Sequence, residues 1–62
     1  MKPVVRVVPL EEIGKAWESL RAEFPDYRII WMRIPGDGSV ALCAADSERA
    51  AKAALAKVEA GA

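Results

Sequence analysis

The chain has no histidine and only one cysteine, Cys43, among its 62 residues. Without histidine it has no Ser-His or Cys-His nucleophile pair and no imidazole base, and one cysteine is too few for a structural zinc site. Cys43 also lacks a partner for an internal disulfide. We therefore expect a protein that is not an enzyme and has no metal or cofactor, with Cys43 packed among small residues rather than reactive.

A charge excess of either sign is also missing, because 9 Lys and Arg residues balance 9 Asp and Glu residues. A neutral chain lacks the basic field behind most non-specific nucleic-acid affinity, and its copies repel one another little. It also contains no apolar run of the ~18 residues that a membrane span needs, and no apolar segment of signal-peptide length at its start. These features favour protein partners, no membrane association and a cytoplasmic location, which a single cysteine suits.

What the chain does have is a hydrophobic content of 53% in a short sequence. This predicts one small folded domain over residues 1–62. A chain of this size buries only ~60% of the surface that its unfolded form exposes. With a disulfide and zinc excluded, self-association is the remaining way to add buried area.

Residues 26–45 form the segment around which the rest is expected to pack. Two apolar runs there meet at Pro35, Gly36, Asp37 and Gly38, a turn sequence typical of a β-hairpin. A further β-branched run, Val4 to Val8, lies between two prolines and predicts a short edge strand.

Two helices are predicted on either side of the hairpin. From Leu10 onward, apolar residues recur at steps of three and four, which predicts an amphipathic helix that Pro25 ends. The glycine inside it, Gly14, is expected to mark a close approach to the sheet. Trp17 and Phe24 are expected to lie in the core.

A second helix is predicted in the alanine-rich segment near the end of the sequence. Asp46 or Ser47 can cap its start, and it runs to about Glu59 and stops at Gly61. Its small side chains would let it lie close to the sheet.

The predicted order β-α-β-β-α indicates an α/β (α+β) fold with two layers. A right-handed crossover makes the first two strands parallel, and the third strand is expected between them. The result is a three-stranded mixed sheet covered on one face by both helices. In topology it resembles a ferredoxin-like split βαβ unit that lacks its last strand.

The length of the hairpin loop decides which residues share a face of the sheet. A three-residue loop with Gly38 in the left-handed conformation pairs Ile34 with Val40 and leaves Ser39 in water, so we favour it. A four-residue loop would instead put Ser39 and Cys43 beside the isoleucines, exchanging the faces of the third strand.

The face away from the helices is the predicted binding surface. Arg6 is expected to point there, which turns Val5 and Val7 inward. The residues of this expected face are Arg6, Tyr27, Ile29, Trp31, Arg33, Ala41 and Cys43. Because Trp, Tyr and Arg are enriched at binding hot spots, we expect a homo-oligomer formed through this face or through the edge of the first strand. An accessory or regulatory subunit is the role that such a protein would suit.

A second function would use part of the same surface. Tyr27 and Trp31, with Arg6 and Arg33 nearby, could form a stacking platform for single-stranded nucleic acid or a small aromatic ligand. The zero net charge weighs against nucleic acid.

Overall fold

A computed structural model describes residues 2–36 and 38–61 of the chain. Its elements are β1 (Val4–Pro9), a 3₁₀ turn (Leu10–Glu12), α1 (Ile13–Glu23), β2 (Arg28–Ile34), β3 (Ser39–Ala45) and α2 (Glu48–Gly61). The predicted order β-α-β-β-α is confirmed. The chain is therefore a small α+β fold with one three-stranded sheet and two helices.

The strand order across the sheet is β1-β3-β2, so β3 occupies the predicted central position. It runs antiparallel to both neighbours, and β1 and β2 therefore point in the same direction. The two outer strands never pair with each other. Every ladder of the described sheet is antiparallel, and the prediction of a mixed sheet is wrong for that reason.

The hairpin has the longer of the two loops considered. Ile34 pairs with Ser39, so residues 35–38 form a four-residue connection, and the favoured three-residue loop is wrong. Gly36 and Gly38 adopt positive φ angles of 78° and 71°, which only glycine takes without strain. Asp37 lies outside the described residues. The shift by one residue puts Cys43 on the same face as Ile30.

The two helices lie on opposite faces of the sheet. On one face, Ala51 and Leu55 of α2 pack against Ala41, Cys43 and Ala45. On the other face, Leu20 of α1 packs against Val40, Leu42 and Ala44. The prediction that both helices cover one face is therefore wrong. β3 is buried at every position from Val40 to Ala45 because it has a helix on each side.

β1 is turned the opposite way from the prediction. Arg6 faces α1, where Val4 and Val8 also pack, rather than pointing away from the helices. Val5 and Val7 are on the face that carries α2. Since α2 packs over β2 and β3, these two valines remain 36% and 53% exposed instead of entering the core.

The ends of the helices follow the predicted local chemistry. Ser47 caps α2, because its Oγ accepts a hydrogen bond from the Ala50 N–H at 3.1 Å. α1 ends at Glu23, before Pro25, and the Phe24 N–H donates to the Leu20 carbonyl at 2.8 Å.

Gly14 does not approach the sheet as predicted. It is exposed, and a Cβ atom built there would have nothing within 4 Å outside its own helix. The glycine is therefore not required by a close contact.

Candidate functional site

The predicted binding face is divided between the two sides of the sheet. Ala41 and Cys43 are fully buried beneath α2. Tyr27 and Ile29 are half-buried on the other side, in the cluster beneath α1. Among the predicted site residues, these four therefore do not lie on one open surface.

The side chain of Arg6, on β1, is bound to α1 of the same chain. Its guanidinium donates to the Glu23 carboxylate and to Ser19 Oγ, the latter at 3.3 Å. Both charged side chains of the ion pair are partly exposed, so water screens the pair and its contribution to stability is small. The pair does neutralise the one charged side chain of β1, and it keeps that side chain against α1.

Trp31 and Arg33 are the predicted residues that remain exposed on β2. The Trp31 side chain is 48% exposed, and its backbone pairs with Leu42. Arg6 pairs with the same leucine from the other strand, so β3 separates Arg6 from Trp31. Trp31 and Arg33 lie two residues apart on β2 and therefore share one face of that strand. The Tyr27 ring stacks on Phe24 at a ring centroid distance of 5.1 Å.

Two apolar residues that the sequence reading assigned to the core are exposed instead. Val5 and Val7 lie on an outer strand of the sheet and belong to neither buried cluster. An edge strand also presents N–H and C=O groups without a ladder partner, which makes it a template for another strand. The open edge of β1, with the two exposed valines beside it on one face, is therefore a candidate protein-binding site.

Two cavities border the other edge strand, β2. One, of about 280 Å³, lies between α1 and the start of β2, and its lining residues include aromatic residues and arginines. The second, of about 350 Å³, lies between β2 and α2 and is lined mainly by apolar groups such as Met32 and Leu55, with Lys52 and Glu59. Lys52 already lies 3.9 Å from Glu48, one helical turn away.

Cys43 lies in the core, as its predicted packing role requires. Burial raises the pKa of its thiol above the ordinary value. The native state then holds the thiol proton more tightly than the unfolded state does. The stabilisation that results is complete below the ordinary pKa of the thiol. It is lost as the pH rises through the raised value.

We therefore expect the free energy of unfolding to fall more steeply with alkaline pH in the native sequence than in Cys43→Ala. Urea unfolding of both proteins from neutral to alkaline pH measures this, and the variant corrects for tyrosine and lysine titration. Equal slopes for the two proteins would contradict a buried, proton-retaining thiol.

No protein-family model, curated protein or solved structure matches the chain. Within residues 2–36 and 38–61, neither helix has the length and apolar character needed to cross a bilayer.

Proposed function

We propose that the protein is a non-enzymatic binding domain that self-associates through the edge of β1. The observation that carries this proposal is the 36% and 53% exposure of Val5 and Val7 on a strand with one open edge. A second copy can add its own β1 to that edge through main-chain hydrogen bonds, while the valines supply apolar contacts.

The sequence of this strand is suited to pairing with itself. Residues 3–9 read Pro-Val-Val-Arg-Val-Val-Pro, which is identical in both directions. An antiparallel two-fold pairing centred on Arg6 therefore places Val5 opposite Val7 of the second copy, and Val7 opposite Val5. Such an interface is isologous, with the same patch contributed by each copy. The prolines limit the new ladder to the residues between them.

The charges favour the β1 edge over the β2 edge. β2 carries two exposed arginines, Arg28 and Arg33, and neither takes part in a described ion pair. Charged side chains on an edge strand oppose its pairing with another copy. On β1, by contrast, Arg6 is held by Glu23 of its own α1, so each copy brings its own counter-charge to the two-fold axis.

The expected dimer is weak. One short strand pair with a few valines buries less than the ~1,200–2,000 Å² of a standard stable interface. Association should therefore depend on protein concentration, with monomers dominating in dilute solution.

Sedimentation velocity over micromolar to millimolar protein tests the proposal. We expect the native chain to move from its 6.7 kDa monomer toward twice that mass, and Val7→Lys to remain monomeric because a lysine blocks the edge. Val7 is more than half exposed, so the folded monomer should tolerate the change.

Trp31→Lys is the matched control, because it replaces a similarly exposed apolar side chain on the other edge strand. This variant should still dimerise. A native protein that stays monomeric at millimolar concentration would refute the proposal, as would a Val7→Lys dimer. Loss of association in Trp31→Lys alone would move the interface to β2.

A further inference from the structure

The 280 Å³ cavity between α1 and β2 combines aromatic rings with positive charge. Its lining includes Trp17, Phe24 and Tyr27, together with Arg21 and Arg28. Arg21 follows Trp17 by one helical turn, which puts both side chains on one side of α1. Phe24 and Tyr27 stack with an interplanar angle of 17°, so they present a fixed aromatic pair.

Of the two arginines, Arg21 lies on α1 with the aromatic residues. Arg28 pairs with Ala45 beneath α2, so its side chain projects to the opposite face of the sheet. Neither guanidinium takes part in an ion pair or a hydrogen bond within the described part of the chain, in contrast to Arg6. The described lining also contains no carboxylate. Arg21 is therefore an unneutralised cation beside the aromatic rings of the cavity and creates a local positive potential there, even though the whole chain is neutral.

We infer that this cavity binds a small aromatic anion, a planar ring that carries a carboxylate or phosphate group. The planar fork of arginine matches either group in a bidentate manner. Trp17 and the Phe24–Tyr27 pair offer apolar and π surfaces against which the ring can lie. Each half of the ligand therefore has a matching set of side chains.

The size of the cavity limits the ligand. Sites for drug-sized molecules have volumes of about 300–1,000 Å³, so a cavity of about 280 Å³ suits a single ring system with one anionic group. The neighbouring cavity beneath α2 offers a different chemistry, because its lysine is close to Glu48 and a second carboxylate, Glu59, is part of its lining.

The site is independent of the proposed dimer. It borders β2, whereas dimerisation uses β1, which lies across the sheet on the far side of β3. A Val7→Lys monomer should therefore bind the ligand as the native chain does, so failure of one proposal leaves the other standing.

Phenyl phosphate titrated into the ¹⁵N-labelled full chain tests the inference. The two tryptophans give separate indole N–H signals, and we expect a saturable shift for Trp17 with little change at Trp31. Arg21→Gln should bind about tenfold or more weakly, since a charge-assisted hydrogen bond is lost. Arg33→Gln is the matched control, because this exposed arginine of β2 does not line the cavity.

Inorganic phosphate and benzyl alcohol separate the two halves of the ligand, and both should bind more weakly than phenyl phosphate. An equal response to either one, or no saturable shift of Trp17, would overturn the inference. So would unchanged affinity in Arg21→Gln. The dispersion of its spectrum reports whether that variant is folded, and Arg21→Lys, which keeps the charge but loses the fork, should show an intermediate loss if Arg21→Gln does not fold.

Discussion

Leu42→Ala is expected to leave much of the protein unfolded at room temperature. Leu42 is fully buried at the centre of β3, where it packs with Leu20 beneath α1. Removing a buried leucine side chain costs about 3–5 kcal/mol in cases where the surroundings cannot close the cavity. A single core in a domain this small supplies about 3–5 kcal/mol in total, so one substitution is comparable with the whole stability.

Leu10→Ala provides the matched control for this prediction. Leu10 is 38% exposed, and its described tertiary hydrogen bond is a main-chain one, from its N–H to the Gly38 carbonyl at 3.1 Å. Alanine keeps that bond, and the cost should be below about 1 kcal/mol. Urea unfolding followed by circular dichroism compares the three proteins. Equal midpoints for native protein and Leu42→Ala would show that β3 is not the centre of the core.

Ala51→Leu is expected to have the second-largest effect. Ala51 is fully buried where α2 packs on the small residues of β3, in the same cluster as Ala41 and Cys43. Three added carbon atoms have no space there unless α2 moves away from the sheet. Overpacking of this kind costs about 1–3 kcal/mol.

Ala53→Leu separates crowding from helix propensity. Ala53 is exposed on the same helix, and leucine and alanine are both strong helix formers. This control should keep nearly native stability. Thermal unfolding of both variants is the measurement, and a stable Ala51→Leu protein would mean that α2 does not contact β3 closely.

Local sequence signals were sufficient to predict the secondary structure. Proline and serine set the helix ends, because Pro25 cannot continue α1 and Ser47 caps α2. The period of the apolar residues separated strands from helices. The predicted central position of β3 is confirmed by the strand order β1-β3-β2. These features depend on neighbours in the chain or on general topology.

The faces of the sheet could not be obtained in the same way. Both loop lengths are compatible with the two glycines at Gly36 and Gly38, and one residue of register exchanges every side chain of β3. A signal for burial on both sides was nevertheless present. β3 is apolar at every position from Val40 to Ala45, whereas a strand with one wet face alternates.

The sequence predicted only part of the candidate sites, because local signals do not decide which residues share a face of the sheet. Tyr27 lines the inferred cavity and β1 remains the proposed interface. Arg6, predicted for the binding face, forms an ion pair with Glu23 of α1, and Arg21 was not predicted to belong to a site. The approach of Arg21 to Tyr27 depends on how α1 packs against β2, which no spacing within the chain encodes. The symmetry of residues 3–9, in contrast, is visible in the sequence itself.

The central position of β3 also has a consequence for the order in which the protein can fold. Both ladders of the described sheet use β3, since β1 and β2 each pair with it and not with each other. During synthesis, the two outer strands therefore emerge from the ribosome before the strand that joins them. The β1–β3 pairs join residues that are 30 (Pro9 with Ser39) to 40 (Val4 with Ala44) positions apart in the 62-residue chain, so this ladder can form only after most of the chain has been made.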